Sequence, residues 1–263
     1  MQRRPGGSVV PSLGSHLAVA RRVADRLCQP AIDSDRGAYY LGATAPDIRA
    51  ITRRDRRETH FYELDDFAPQ DSIGRMASAY PELGEPAALP RPTPAFLAGY
   101  VTHLVMDERY IEGIYRSEFG ERSPRADDPR RDVLDRALQF EMDRREREDA
   151  AVMSEICGAL AAQDRGPHVP FLAEPDLERW RDIVAQIAAQ PPTYERFPRM
   201  LRIHLDRTGL DEAAIEEQLS RGPRLAEEAL LAVTEERMRA FWEETADACV
   251  VRLVGYFAWG GAA

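Results

Sequence analysis

His103 and Asp107 stand four residues apart in the stretch Ala95-Phe-Leu-Ala-Gly-Tyr-Val-Thr-His-Leu-Val-Met-Asp107. In a helix, side chains at i and i+4 stack over one another, so an imidazole and a carboxylate so placed can grip the same ion. Leu97, Val101, Leu104, Val105 and Met106 turn most of that helix toward a core. A carboxylate carried into apolar surroundings needs a cation or a tight hydrogen-bonding partner. Neutral imidazole and carboxylate together suit zinc or another first-row divalent ion.

Three of the five histidines, His16, His60 and His103, sit beside other ligand-type residues in the N-terminal half. His16 lies on the apolar side of a first helix, near Leu13 and Ala20. Asp47 follows Pro46 in the turn Leu41-Gly-Ala-Thr-Ala-Pro-Asp-Ile48, and His60 is flanked by Thr59 and Phe61. Arg49, Arg53, Arg54, Arg56 and Arg57 fall between two of these candidates. Either one of them holds a phosphate in a bidentate fork, or they form a solvated loop that offsets nearby acids. Arg49 is singled out as the substrate-binding candidate because it lies nearest to Asp47. Tyr39, Tyr40, Tyr62 and Tyr100, beside apolar helical segments, are read as core residues. His168, in a Gly-Pro-His-Val-Pro loop, and His204, among apolar helical neighbours, are expected to have structural roles.

The elements that must position these groups are helical. Leu13 to Cys28 reads as an amphipathic helix, and Tyr39 to Ile51 contains Pro46, where a helix ends or begins. A short helix is expected over Asp71 to Tyr80. The prolines at 86, 90, 92 and 94 mark a loop that leads into a helix over 95–112. The apolar stripe from Val133 to Leu160 predicts one long helix from Asp128 to Ala162, with Arg144-Arg-Glu-Arg-Glu-Asp149 as its solvated face. Further helices are expected at 174–190, 194–207, 211–219 and 223–257, the last ending at Gly260-Gly261. The fold class is therefore all-α, a multi-helix bundle. Residues 1–165 are expected to form the metal-binding core, with 166–263 as additional helices packing on or capping it.

Composition narrows the function. The 263 residues are 44% hydrophobic and 30% charged, as in a globular protein. No apolar run approaches the length of a membrane span, and Met1-Gln-Arg-Arg-Pro-Gly-Gly lacks the apolar stretch of a secretory signal. An intracellular, cytoplasmic protein is the expectation. A net charge of −10 speaks against a basic nucleic-acid surface. The chain has no lysine, which removes Schiff-base chemistry and a Walker-type phosphate loop and leaves arginine as the fixed cation. Cys28, Cys157 and Cys249 are widely spaced and odd in number, so buried thiols are expected and a disulfide framework is not.

Pro11-Ser-Leu-Gly-Ser-His16, Leu41-Gly-Ala-Thr-Ala-Pro-Asp47, Thr59-His60-Phe61 and Ala98-Gly-Tyr-Val-Thr-His103-Leu-Val-Met-Asp107 resemble the zinc-dependent phospholipase C family. That family belongs with single-strand nucleases in a superfamily of all-α phosphoesterases with clustered zinc ions. The resemblance spans about residues 11 to 145. It implies that Asp47, His60, His103 and Asp107 enclose one metal, and that Asp107 bridges to a second ion shared with His16. For a third position it implies that Asp135 and Gln139 stand where the family has a His-x-x-x-Glu pair, with Glu108 or Glu112 as a further oxygen donor. The competing reading makes these residues the wet face of a helix. An oxygen-rich third site tilts toward magnesium, manganese or iron.

The resulting expectation is a metal-dependent phosphoesterase-like hydrolase. Two ions, zinc foremost, with iron or manganese as alternatives, would share a bridging hydroxide that attacks phosphorus. Asp47 and Asp107 are the catalytic carboxylates in this reading, and the substrate is a small-molecule or phospholipid-like phosphoester. One alternative is an intracellular biosynthetic metalloenzyme using Lewis-acid or iron-dependent oxidative chemistry. Another is a non-catalytic helical protein with one structural metal.

Overall fold

A computed structural model describes residues 12–206 and 208–258. Pro11 of the first motif, the N-terminal segment, Arg207 and the Gly260-Gly261 terminus lie outside the described residues. The described residues form helices and no strand, so the chain is all-α. In chain order the α-helices are α1 (Leu13–Leu27), α2 (Pro30–Ser34), α3 (Arg36–Gly42), α4 (Arg49–Thr52), α5 (Arg56–His60), α6 (Ser72–Ala79) and α7 (Thr93–Tyr110). There follow α8 (Arg131–Glu146), α9 (Ala150–Ala161), α10 (Glu174–Ala188), α11 (Phe197–Leu205), α12 (Glu212–Ser220), α13 (Gly222–Val233) and α14 (Glu235–Ala258). A 3-10 turn, Ala45–Ile48, joins α3 to α4, and a π-helical run, Ile111–Phe119, follows α7. Among the described residues no helix is long and apolar enough to cross a membrane.

Two long helices expected from periodicity are each divided. Residues 128–162 give α8 and α9 because the Asp149 carboxylate accepts the backbone N–H groups of Ala151 and Val152, starting a new helix inside the charged run. The span 223–257 gives α13 and α14. Thr234 breaks it at φ 68°, and its hydroxyl oxygen then accepts the Arg237 N–H at 3.3 Å. The expected burial of all three thiols holds for Cys249 alone. Cys157 is half-buried, and Cys28 is exposed at the end of α1, in a left-handed conformation.

The chain forms two compact units that do not divide at residue 165. Among the described residues, one gathers His16–Glu108, Asp149–Gln190 and 244–258; the other gathers 12–15, Arg109–Glu148 and Pro191–Glu243.

The first unit holds the candidate site. Within it, nearly every residue of α7 from Ala95 to Asp107 is buried, which is why the stretch is apolar all round rather than on one stripe. α3 lies against α7 at a spacing only glycine permits. A Cβ on Gly99 would stand 2.0 Å from the Tyr39 carbonyl oxygen, and one on Gly42 would stand 1.9 Å from that of Phe96. α9 packs on α3, and α10 packs on both α9 and the 3-10 turn. The Trp180 indole N–H of α10 donates to the carbonyl of Thr44, 3.0 Å away, pinning the turn that carries Asp47.

In the second unit, α8 packs against α13 and α11. Asp135 of α8 is buried and accepts the Tyr110 hydroxyl at 2.7 Å and the Gln139 amide at 2.7 Å. Gln139 in turn accepts from Arg136 at 2.6 Å. Burial outweighs these donors and pushes the Asp135 carboxyl up to about 6.

Candidate metal centre

Four local structures of one unit deliver the side chains. α1 carries His16 on its buried face, beside Leu17 and Ala20. The 3-10 turn carries Asp47. α5 begins at Asp55, whose carboxylate caps it by accepting the Arg57 N–H at 2.9 Å, and it ends at His60. That single turn places Arg56 and His60 at i and i+4, facing the His103 and Asp107 pair that α7 presents at the same spacing.

The carboxylate of Asp107 lies at the centre. It is 3% exposed. Its Oδ1 is 3.4 Å from His16 Nε2, and its Oδ2 is 3.5 Å from His60 Nε2 and 3.6 Å from His103 Nε2. His60 Nε2 is also 3.5 Å from Asp47 Oδ1. The His16 and His103 rings stack at 3.8 Å, with an 8° angle between planes. Two groups are thereby assembled with ligand atoms close enough to hold a metal ion: His16, Asp47 and His103, and His60, His103 and Asp107.

Three observations bear on whether these residues fit a cation. First, the spacing suits shared ligation: two donors each about 2.0–2.1 Å from one ion at a tetrahedral angle lie about 3.4 Å apart. That separation is longer than an ordinary N–H···O bond. Second, Nε2 of His16, His60 and His103 and Oδ1 of Asp107 are buried and make no hydrogen bond among the described residues. Buried polar atoms are rarely left so.

Third, the far sides of two of the three rings, His103 and His60, are tied in the sense ligation requires. His103 Nδ1 lies 2.9 Å from the Ala43 carbonyl oxygen, which can only accept, so Nδ1 carries the proton and the neutral ring keeps a lone pair at Nε2. His60 Nδ1 lies 2.9 Å from Thr59 Oγ1. That hydroxyl donates onward to the Arg56 carbonyl at 3.4 Å and so accepts from His60. Tyr100 of α7 donates its hydroxyl to the Thr59 carbonyl, binding α5 to the central helix. Buried His and Asp side chains are thus placed to hold a metal ion.

The electrostatics keep His16, His60 and both carboxylates available as donors. Burial, reinforced by the charge of His103, lowers His16 to about 3. Burial and then the neighbouring Arg56 lower His60 to about 4. Burial works to raise Asp47, but the His60 ring 3.5 Å away and the charges of His103 and His60 bring it down to about 2. Burial likewise opposes ionisation of Asp107, yet His103 and Arg56 hold it well below the usual carboxylate range. Burial disfavours the His103 cation, but Asp107 outweighs that and raises its pKa.

Of the other candidates, Glu108 accepts the Ser72 N–H at 2.7 Å and Glu112 is exposed. Asp135 and Gln139 are bonded within the second unit as described above. None of the four enters either ligand group. His168 is exposed and His204 half-buried, and neither is a member. Tyr39, Tyr40, Tyr62 and Tyr100 are core residues.

Arg49 is half-buried at the start of α4. The guanidinium that meets the cluster is that of Arg56, whose terminal nitrogen donates to Asp107 Oδ2 at 2.7 Å. Arg56 is the buried member of the five clustered arginines. Its spacing of four from His60 is the sequence signal that would have set it apart from Arg49. Comparison with known protein families, curated proteins and solved structures finds no match to this chain.

Proposed function

We propose that the chain is a divalent-metal-dependent hydrolase of phosphoric esters. The observation that carries this reading is the set of three buried imidazoles whose unpartnered Nε2 atoms converge on Asp107, with Asp47 beside them. A donor set of three nitrogens and two carboxylates suits zinc first, and iron or manganese next. The four motifs shared in order with the zinc-dependent phospholipase C family support the phosphoester assignment. His16, Asp47, His60, His103 and Asp107 would hold the ion, which when bound supplies Lewis acidity and lowers the pKa of water.

The chain's own residues do the rest. Asp47 has a 19% exposed side chain, against 4% or less for the other four, so substrate and water approach on its side. As an anion at neutral pH, Asp47 accepts a hydrogen bond from the attacking water and orients it. Asp107, held by Arg56, stays ionised and fixes the imidazoles around it. Arg49, half-buried and next in the chain to the turn that carries Asp47, is the cation assigned to receive a phosphate oxygen from solvent.

Zinc-loaded protein assayed with p-nitrophenyl phosphate and bis(p-nitrophenyl) phosphate tests this reading. Turnover that disappears in Asp47→Asn with metal retained supports it. Metal-loaded protein that hydrolyses neither ester, nor a phospholipid, overturns it.

A second reading is favoured by the near-complete burial of His16, His60, His103 and Asp107. Under it, the ion is structural. Chelation would then lower the melting temperature of a protein that has no turnover to lose.

A further inference from the structure

We propose that the centre takes a single divalent ion per chain, with the Arg56 guanidinium standing as the fixed second cation beside it. The inference rests on the metal-binding reading above and departs from the pair of ions that the resemblance implies.

The first argument is a count of donor atoms. The two ligand groups share His103. One nitrogen of that ring is bonded to the Ala43 carbonyl, so a single nitrogen remains for metal, and a second ion would have to be held through His16 and a shared carboxylate instead. Asp107 is the residue a second ion would have to share, since it lies 3.4–3.6 Å from all three imidazoles. A carboxylate spanning two ions gives one oxygen to each, and here Arg56 donates to Oδ2 at 2.7 Å, placing a fixed positive charge where the second ion would stand. Only Oδ1 remains without a partner among the described residues.

The second argument is charge. Asp47 and Asp107 bring two negative charges, Arg56 brings one positive, and imidazoles ligate in their neutral form. The set is one charge short of neutrality, and one divalent ion takes it to a single positive charge. Two ions would take it to three, among side chains of which His16, His60, His103 and Asp107 are almost fully buried, and uncompensated buried charge is strongly unfavourable.

Arg56 cannot step aside to admit the second ion cheaply. It is buried, it sits on the first turn of a helix capped by Asp55, and its Nε and second terminal nitrogen have no other acceptor among the described residues. A guanidinium is also always charged, so no change of pH vacates the position. The single positive charge left over gives the centre its attraction for an oxyanion.

The test is metal counting. Purified protein is saturated with zinc, freed of loose ions by dialysis and measured by plasma mass spectrometry against protein concentration. Cobalt absorption in a parallel titration reports the break point. One ion per chain is expected for the wild type and for Arg56→Lys, and two for Arg56→Gln, which is neutral and nearly as long. Two tightly held ions in the wild type overturn the inference while leaving the hydrolase reading standing. A count that stays at one in folded Arg56→Gln overturns the role given to the guanidinium. If Arg56→Gln does not fold, the wild-type count still decides the stoichiometry, and Arg56→Met read in the same way decides the role. No retained metal in any form overturns the metal centre itself, and the proposed function with it.

Discussion

His103 Nδ1 donates to the carbonyl oxygen of Ala43 across 2.9 Å, and this one bond decides which ring nitrogen faces the carboxylates. It exists because α3 and α7 touch backbone to backbone. Gly42 lies against the Phe96 carbonyl and Gly99 against the Tyr39 carbonyl, and a Cβ on Gly99 would also stand 2.7 Å from the Ala43 nitrogen. A methyl group at 99 therefore meets main-chain atoms that have no rotamer to change. Gly99→Ala is expected to destabilise the fold by about 3 kcal/mol and to weaken metal binding by displacing Ala43 from His103. Urea denaturation and a zinc titration check it; a loss near zero with intact affinity would show that the helices separate without consequence.

Asp107 and Arg56 depend on one another even without metal. Asp107→Leu leaves a buried guanidinium with no counter-charge, and the loss should be about 3–5 kcal/mol. Adding Arg56→Met removes the stranded cation and should recover much of that loss, although the double variant binds no metal. Equal stability of Asp107→Leu and the double variant, by chemical denaturation, would show that the pair is not coupled.

Metal binding should displace about one proton rather than three near neutral pH. His16, near 3, and His60, near 4, are already unprotonated there, whereas His103 is raised by Asp107 and holds its proton longest. Affinity falls as the pH drops through the raised pKa of His103, because the proton and the ion compete for the same nitrogen. The linkage in the metal-free protein has the opposite sense: the His103–Asp107 attraction stabilises the fold at low pH and is lost as pH rises through that pKa. Calorimetry of zinc binding in buffers of different ionisation enthalpy gives the proton count directly.

Asp135 carries a separate pH signature. Its carboxyl is raised from 3.8 to about 6, so the folded state holds the proton more tightly than the unfolded chain. Stability therefore falls as the pH rises from about 4 to about 6, by about 3 kcal/mol for a shift of this size. Asp135→Asn should flatten that slope, whatever it does to absolute stability by setting one amide against that of Gln139. A slope that survives the substitution assigns it to another group.

The sequence was most readable where one rule governed the residues. The His103–Asp107 spacing placed both groups on one face of α7, and Asp71, whose carboxylate accepts the Gly74 N–H at 2.9 Å, marked the start of α6. Long periodic stretches were read too far. An apolar stripe continues across Asp149 and across Thr234, but each residue caps a new helix, and capping is a short-range signal that periodicity averages away. Among five neighbouring arginines, distance along the chain from Asp47 favoured Arg49. What buried Arg56 instead was the one-turn helix with His60, which is visible in the sequence only once Asp55 is taken as a cap.

Tyr100, His103 and Asp107 all project from α7, and the Tyr100 hydroxyl holds the Thr59 carbonyl next to His60. Ligands from two elements are thus braced against a third that is itself enclosed on every side. Donor atoms already 3.4–3.6 Å apart favour ions of small radius; calcium, which takes six to eight oxygens at about 2.3–2.6 Å, would need a wider spacing and more oxygens than two carboxylates bring.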